Sequence, residues 1–290
     1  MTTLAIVLAV FVGVSLGLLG GGGSILMVPL LAYVAGMDAK QAIATSLLVV
    51  GTTSAVGAIS HARAGRVQWR TALLFGATAM AGAYGGGHLA KFIPGTALLI
   101  GFAVMMVATA IAMLRGRKNT EAGAEQPHLP LLKIAAVGVA VGMVTGLIGA
   151  GGGFLLVPAL VLLGGLPMPL AVGTSLVIIA MNSFAGLMGY LSSVRIDWTH
   201  GAALTAAAVV GALIGAQFAG KVNPETLRKG FGWFVLMMAA LILGEEAHPA
   251  LGFSGAGLTV LAGALTFACN HYAACPLRRF TGRTRTVSAA

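Results

Sequence analysis

The sequence predicts an all-α, polytopic integral membrane protein. Only 8% of its 290 residues are charged and 58% are hydrophobic, whereas a soluble domain usually carries about 25% charged residues. Mean hydropathy is +0.97, and apolar runs of about 20 residues, each long enough to cross a bilayer, recur along the chain. The net charge of +10 would suit nucleic acid, but the basic residues lie between the apolar runs, where they set membrane orientation. We therefore expect a lipid bilayer and no nucleic acid as partner.

The apolar runs divide the chain into two similar halves. The first half contains a glycine-interrupted stretch over 3–35 and helices near 41–60, 71–91 and 95–114. The second contains a stretch over 132–165 and helices near 170–191, 200–220 and 226–244. The predicted units are a first repeat over 1–114, a cytoplasmic linker over 115–133, a second repeat over 134–245, and an extra membrane helix with a basic tail over 246–290.

The two halves are an internal repeat. Residues 17–31 read GLLGGGGSILMVPLL and residues 146–160 read GLIGAGGGFLLVPAL, with nine identities in the fifteen positions. The offset of 129 then also aligns ATSL at 44–47 with GTSL at 173–176. Further identities at the same offset are Ser54 with Ser183, Gly57 with Gly186, Arg66 with Arg195, Trp69 with Trp198 and Gly82 with Gly211.

The charge distribution predicts how the glycine-rich stretches are used. A continuous helix over 3–35 would be about 50 Å long, against a hydrocarbon core of roughly 30 Å. A break at residues 20–23 would give two pieces of about 16 and 13 residues, which either cross once as a kinked span or enter and turn back. If both stretches turn back, 14 of the 17 lysines and arginines lie on one face and three on the other. If both cross once, the split is eight against nine, so the positive-inside rule favours re-entrant hairpins.

Re-entrant hairpins predict an inverted architecture. One hairpin and three spans make an odd number of crossings per half, so the halves would lie upside down relative to each other. The N-terminus would be outside, and the linker and C-terminal tail cytoplasmic. Inverted repeats whose broken helices meet at mid-membrane are a transporter architecture.

The glycine clusters are the predicted substrate site. A helix that starts after a break presents free N–H groups and the positive end of its dipole, which together bind anions. The alternative is that glycines serve only close helix packing. Hydroxyls of the two TSL segments could add hydrogen bonds, although in membrane helices such groups equally often bond to neighbouring helices or to their own backbone. The candidate residues are Gly20, Gly21, Gly22, Gly23, Ser24, Thr45, Ser46, Gly149, Gly151, Gly152, Gly153, Thr174, Ser175 and Asn182.

The acidic residues argue against a cation transporter. All seven lie in predicted loops or at helix ends, whereas carboxylates within the membrane mark cation sites and proton relays; they are Asp38, Glu121, Glu125, Asp197, Glu225, Glu245 and Glu246. No clustered His/Asp/Glu or nucleophile–base arrangement is evident, so we expect no enzyme activity, no cofactor and no metal. Cys269 and Cys275 near His271 could bind a metal or react with sulfur, but their spacing is wider than that of metal signatures.

The paired glycine motifs, each followed by a TSL segment, resemble the sulfite exporter TauE/SafE family of membrane permeases (TSUP) over about residues 4–245. The resemblance implies movement of sulfur-containing anions through an hourglass of inverted repeats. Related thiosulfate carriers use cysteines in the pore, and this sequence has none near either glycine cluster.

We therefore expect a multi-pass transporter of the inner (plasma) membrane that exports a small anion such as sulfite or an organosulfonate. An anion that leaves a negative-inside cell gains about 2.3 kcal/mol per charge per 100 mV, so export needs no proton relay. The alternatives are an importer of a different small anion, or a structural or partner-binding membrane protein without transport. The sequence does not indicate the oligomeric state.

Overall fold

A computed structural model describes residues 2–115, 131–149, 151–153, 156–157, 160, 166, 168–218 and 224–247. Within these ranges all the regular structure is helical. Three helices are long and apolar enough to cross a membrane, over Ala39–Arg63, Leu170–Leu191 and Trp198–Gln217, which fits a polytopic membrane protein. Of the predicted extra membrane helix and basic tail over 246–290, residues 248–290, which include both cysteines, lie outside the described residues.

The helices follow the predicted order, with boundaries shifted by a few residues. They are α1 Thr2–Leu19, α2 Met27–Pro29, α3 Ala39–Arg63, α4 Trp69–Leu89, α5 Gly95–Arg115, α6 Leu131–Ile148, α7 Met168–Leu191, α8 Trp198–Phe218 and α9 Pro224–Ala247.

The first glycine-rich stretch differs in detail from the predicted pair of α-helices. After α1 ends, Gly20–Leu26 forms a 3-10 helix, α2 makes one turn, and Leu30–Val34 is a π-helical turn closed by the Ala35 N–H on the Leu30 carbonyl at 3.0 Å. Glycine has a poor α-helical propensity, and Pro29 has no N–H to continue an α-helical ladder. A Cβ at Gly23 would overlap the backbone nitrogen of Leu16, so the chain folds back immediately after α1.

The second glycine-rich stretch has the predicted break. The N–H of Gly149 closes α6 on the carbonyl of Thr145 at 2.9 Å, and the N–H of Leu156 bonds to the carbonyl of Gly152 at 2.9 Å where helix resumes. Three of the intervening glycines have positive φ angles, +78° at Gly149, +63° at Gly151 and +78° at Gly152. Other residue types rarely adopt this backbone conformation, so these three positions require glycine.

Helices α3 and α7, one from each half, pack in opposite directions. A Cβ at Gly51 would lie 3.1 Å from the Cβ of Ser183, and one at Gly57 would lie 3.5 Å from Leu176. Residue numbers therefore fall along α7 as they rise along α3, which defines an antiparallel pair. The glycines let the two backbones approach closely.

Each half also packs its first helix on a later helix of the other half. Along both pairs residue numbers rise together, so α1 runs parallel to α8 and α6 runs parallel to α4. At both contacts a Cβ on a glycine would overlap a facing carbonyl oxygen, as for Gly13 on Ala208, Gly17 on Ala212, Gly142 on Ala79 and Gly146 on Ala83. At the repeat offset of 129, Gly13 and Ala208 correspond to Gly142 and Ala79. Gly17 and Ala212 correspond in the same way to Gly146 and Ala83. The leading helix of each half therefore makes the same contacts with the other half.

The ends of the helices are marked by polar and aromatic side chains. Trp69 and Trp198 begin α4 and α8 and are 55% and 57% exposed, as expected for anchors at a membrane interface. Asp197 caps α8 by accepting from the N–H of Thr199 at 3.0 Å. The side chain and N–H of His200 also donate to Asp197 and hold the pKa of that carboxyl below its usual range.

Candidate functional site

The site is built around the break at residues 149–153. The hydroxyl of Ser46, on α3, lies 2.7 Å from the carbonyl oxygen of Gly149 and 2.8 Å from that of Ile43, so its single proton serves both carbonyls. Ser46 is fully buried. A residue of the first TSL segment thus holds the glycine break of the second half.

The glycines of the break are closely surrounded. A Cβ at Gly149 would lie 2.5 Å from the Cγ2 of Ile43, and one at Gly151 would lie 2.6 Å from Val50 and 2.9 Å from the hydroxyl of Ser183. The absence of side chains therefore lets the backbone of the break pack directly against both apolar and hydroxyl side chains of α3 and α7.

Asn182 and Thr145 form a buried polar pair beside the break. The amide nitrogen of Asn182 lies 2.6 Å from the hydroxyl oxygen of Thr145, which lies 3.1 Å from the carbonyl oxygen of Gly142. A Cβ at Gly152 would lie 2.7 Å from the Thr145 methyl group. The pair therefore lies at the last turn of α6, against the glycine that precedes the resumed helix.

Several buried polar atoms near this pair have no hydrogen-bond partner. Among the described residues they include the Oδ1 of Asn182 and the hydroxyls of Ser183 and Ser54. Asn182 is 1% exposed, and both serines are fully buried. Nearly all buried polar atoms in folded proteins are hydrogen-bonded, so unpartnered ones at a glycine break indicate a place for a guest or for water.

The first glycine cluster has a different local structure. Gly20, Gly21, Gly22 and Gly23 form the start of the 3-10 helix, and this segment packs against α7. Ser24 follows them and is fully buried. Ser175, the equivalent of Ser46, is fully buried and donates to the carbonyl of Val172 at 2.8 Å.

The two threonines of the TSL segments point elsewhere. The hydroxyl of Thr174 accepts from the backbone N–H of Gln68 at 3.0 Å, which ties the start of α7 to the loop between α3 and α4. The methyl group of Thr45 faces Gly201 on α8. The structure therefore brings Ser46 and Asn182 to the second break, whereas it engages Thr174 with a loop.

Sequence reasoning missed two residues that the structure places in this cluster, Ser183 and Thr145. Ser183 matches Ser54 in the repeat and lies eight residues after Ser175, thus on the same helix face two turns on. Thr145 had no such signal because its equivalent in the first half is Leu16.

The buried polar groups of the described residues are all uncharged. They are the hydroxyls and amides of Ser24, Thr45, Ser46, Thr53, Ser54, Thr109, Thr145, Thr174, Ser175, Asn182 and Ser183. Carboxylates within the membrane, which mark many cation sites and proton relays, are not among these buried groups. The same part of the chain contains no group of three His, Cys, Asp or Glu side chains that could hold a metal ion.

Comparison with known proteins identifies the family. The family model described as sulfite exporter TauE/SafE matches residues 5–242. The chain belongs to the TauE/SafE family. A TauE/SafE relative named probable membrane transporter protein, from Xylella fastidiosa strain 9a5c, is 35% identical over 238 residues, which cover 80% of this chain and 91% of the relative.

More distant relatives carry similar names. The probable membrane transporter protein YunE of Bacillus subtilis is 27% identical over 246 residues, covering 77% of this chain and 90% of its own. The probable membrane transporter protein MJ0441 of Methanocaldococcus jannaschii is 29% identical over 196 residues, covering 66% of this chain and 72% of its own. No solved structure matches this TauE/SafE chain. The predicted family and the membrane-transport assignment are therefore confirmed, and the relatives are named as transporters rather than enzymes.

Proposed function

We propose that this chain is a multi-pass transporter of the plasma membrane that exports a small sulfur-containing anion, such as sulfite or an organosulfonate. The observation that carries the proposal is the cluster of buried, uncharged hydroxyl and amide groups around Gly149, Gly151 and Gly152, where the Asn182 Oδ1 and the Ser183 hydroxyl have no partner among the described residues. The description of the family as sulfite exporters supports the substrate class.

The anion would be bound without a buried positive charge. Hydroxyls donate hydrogen bonds to anionic oxygens, and backbone N–H groups at a helix start add the positive end of the dipole. The resumed helix at Gly153 offers such a start, since Gly152 already accepts from Leu156. A neutral site of this kind releases its guest more readily than one that contains a lysine or arginine, as a transporter must.

The two halves would be inverted repeats. The antiparallel packing of the equivalent helices α3 and α7 supports this. A two-fold axis that is perpendicular to the helices and relates the two halves makes each helix run opposite to its equivalent. The exchanged contacts also support it: Gly13 meets Ala208 as Gly142 meets Ala79. Such mutual exchange is characteristic of two-fold symmetric interfaces.

The glycine-rich stretches would be re-entrant hairpins. In the second half, α6 runs parallel to α4, and Gly138 lies against Thr78. The first residues of α6 therefore lie at the same end of the pair as the first residues of α4. The start of α7 lies at the same end, because Thr174 accepts from Gln68, the residue before α4. Both ends of the stretch are therefore near one end of α4, which supports entry and return on the same side of the bilayer.

Export follows from the energetics. A monovalent anion that moves outward down a negative-inside potential gains about 2.3 kcal/mol per 100 mV. The uncharged interior of the described residues offers no carboxylate relay for coupling to protons. A uniporter driven by the membrane potential fits these features.

The test is flux through purified protein in liposomes, with sulfite, sulfate, thiosulfate, taurine and sulfoacetate as candidate anions. The Gly152→Leu and Gly22→Leu variants should lose transport while still reaching the membrane. Gly101→Leu is the matched control, because a side chain at this helical glycine enters open space. Wild-type flux through Gly152→Leu would remove the site, and no effect of any anion on flux or thermal stability would favour a non-transporting membrane protein.

A further inference from the structure

Helices α4 and α7 are in contact from their starts to their ends. The hydrogen bond from the loop before α4 to Thr174 joins their starts. In the middle, a Cβ at Gly76 would lie 2.9 Å from the sulfur of Met181. At the end, a Cβ at Gly189 would lie 2.8 Å from the backbone nitrogen of His88. The two helices therefore run side by side without parting.

The last turns of α4 and α7 form a seal. Gly87 and Gly189 are both buried, and a Cβ at Gly87 would overlap the carbonyl oxygen of Gly186. The hydroxyl of Ser192, just after α7, lies 3.4 Å from the Nδ1 of His88. Backbone meets backbone at these turns, which closes this end of the pair.

The equivalent pair, α8 and α3, is in contact near its start and parts toward its end. A Cβ at Gly201 would lie 3.3 Å from the Cδ2 of Leu48. Further along, a Cβ at Gly57 would have Leu176 of α7 and no atom of α8 within 4 Å. At the offset of 129, the equivalents of Gly87, His88, Gly189 and Ser192 are Ala216, Gln217, Ser60 and Arg63. All four are exposed, so faces that meet in the sealed pair lie open in this one.

The opening between α3 and α8, which we term the α3–α8 cleft, is lined by polar side chains. Thr52 and Thr205 lie one turn beyond Leu48 and Gly201, the residues that touch, and are half-buried. Each donates to a carbonyl of its own helix, at 2.9 Å and 2.7 Å, and its oxygen can still accept from water. The residues that define the α3–α8 cleft are Thr52, Ser60 and Arg63 of α3 and Thr205, Ala216 and Gln217 of α8. Water can therefore occupy the α3–α8 cleft, whereas the equivalents of Thr52 and Thr205 in the sealed pair are Met181 and Gly76.

The wide end of the α3–α8 cleft carries positive charge. Arg63 lies in the last turn of α3, three residues after Ser60 and on the same face, and it is exposed. Arg66 and Arg70 are exposed at the same end of the molecule. Like charges that line the mouth of a cleft raise the local concentration of the opposite ion. This end is the one that the charge pattern predicts to face the cytoplasm.

One stripe of α3 leads from the second break to the wide end of the α3–α8 cleft. Successive members are three or four residues apart and so share a face; they are Ser46, Val50, Thr53, Gly57 and Ser60. Ser46 bonds to Gly149 of the break. Thr53, the equivalent of Asn182, is still buried, Gly57 is half-buried and Ser60 is exposed. Burial therefore falls steadily from the break toward the opening.

We infer that the α3–α8 cleft is the water-filled entrance by which the anion reaches the second break, and that the seal between α4 and α7 closes the opposite end in this state of the molecule. Release on the other side then requires the last turns of α4 and α7 to part. This inference rests on the proposed function, because it adds a route of access to that site.

The first test measures whether water fills the α3–α8 cleft. Full-length protein with Cys269 and Cys275 replaced by serine is placed in lipid nanodiscs and treated with an anionic, water-soluble methanethiosulfonate. Thr52→Cys and Thr205→Cys should react more than about tenfold faster than the controls, because a thiol reacts as the thiolate and ionises poorly in apolar surroundings. Met181→Cys is the matched control in the sealed pair, and Val104→Cys, at a residue of α5 that is 58% exposed, reports a lipid-facing position.

The second test immobilises the seal. In the same background, His88→Cys with Ser192→Cys is crosslinked by dibromobimane, a short reagent whose thioether bonds sulfite does not cleave, and sulfite flux is measured in liposomes. Crosslinking should abolish flux, whereas either single variant treated in the same way should keep it. Gln217→Cys with Arg63→Cys, at the equivalent positions of the open pair, should crosslink much less in the absence of an anion.

The outcomes separate the inference from the proposed function. If Thr52→Cys and Thr205→Cys react no faster than Val104→Cys, lipid or protein fills the α3–α8 cleft and the entrance is wrong. Full flux through the crosslinked His88–Ser192 pair would show that the seal does not move. Either result leaves an anion transporter in place, whereas absence of flux for every candidate anion in the unmodified protein would overturn the proposed function itself.

Discussion

The hydroxyl of Tyr190 donates to the carbonyl oxygen of Leu147 at 2.6 Å, which fastens the end of α7 to the last turn of α6 just before the glycine break. Tyr190 is fully buried. Its equivalent in the first half is His61, whose Nδ1 is buried without a partner among the described residues. The second break is thus held from both sides, by Tyr190 on α7 and by Ser46 on α3.

Replacing Tyr190 with phenylalanine should destabilise the protein while retaining its packing. The lost hydrogen bond leaves the Leu147 carbonyl buried without this donor, at a cost of about 1–3 kcal/mol. Thermal unfolding in detergent should show a lower midpoint for Tyr190→Phe than for Tyr84→Phe, which changes a tyrosine that is 53% exposed. Equal midpoints for the two variants would mean that the Leu147 contact contributes nothing.

Replacing Ser46 with alanine should loosen the break itself. The variant loses the bond to Gly149 at 2.7 Å, worth about 1 kcal/mol, and should bind sulfite more weakly because the backbone of the break is less constrained. Ser60→Ala is the control, since Ser60 is exposed and bonds only to Gly57 within its own helix. The comparison is made by thermal shift with and without sulfite, and an identical anion-induced shift in both variants would argue against this role.

Adding a methyl group at the α6–α4 contact should force the helices apart. A Cβ at Gly142 would overlap the backbone carbonyl of Ala79, which cannot rotate away as a side chain could. We expect Gly142→Ala to cost about 1–3 kcal/mol of stability. Gly101→Ala, in open space, should instead be neutral or stabilising by up to about 1 kcal/mol because alanine favours helix. Fluorescence size-exclusion after heating measures both, and comparable losses would show that the overlap is relieved without cost.

Cysteine labelling in cells should place residues 36–40 and 61–70 on opposite faces of the bilayer. In a background where Cys269 and Cys275 are serine, a membrane-impermeant thiol reagent should label Lys40→Cys in intact cells and Ala64→Cys only after permeabilisation. Ala64→Cys is the internal control for permeability, since Ala64 is exposed in the loop after α3. Labelling of both positions from the same side would eliminate the re-entrant arrangement.

The all-helical membrane class and the order of the helices could be predicted because long apolar runs and a scarcity of charge are physical constraints visible in the sequence. The re-entrant and inverted arrangement that the charge pattern predicts stays a prediction. The glycines at 149, 151 and 152 adopt positive φ, as a break in a helix requires. The equivalent glycines at 20–23 form a 3-10 helix instead, and sequence alone could not separate these outcomes since the two clusters, GGGG at 20–23 and GAGG at 149–152, differ by one residue. Thr174 is a predicted site residue because both hydroxyls of its TSL segment could donate to the ligand. Adjacent residues of a helix face different neighbours, however, and Thr174 accepts from the N–H of Gln68.

The reciprocal packing of α1 on α8 and of α6 on α4 has an evolutionary consequence. The first helix of each half packs on a helix of the other half. A half expressed alone would therefore leave the glycine-rich face of its first helix without a packing partner. In the proposed inverted arrangement, an ancestral single-repeat chain would have supplied that surface by pairing with a copy of itself in the opposite orientation. Gene duplication and fusion would then have fixed the two orientations in one polypeptide, after which Asn182 and Thr145 were free to diverge from Thr53 and Leu16.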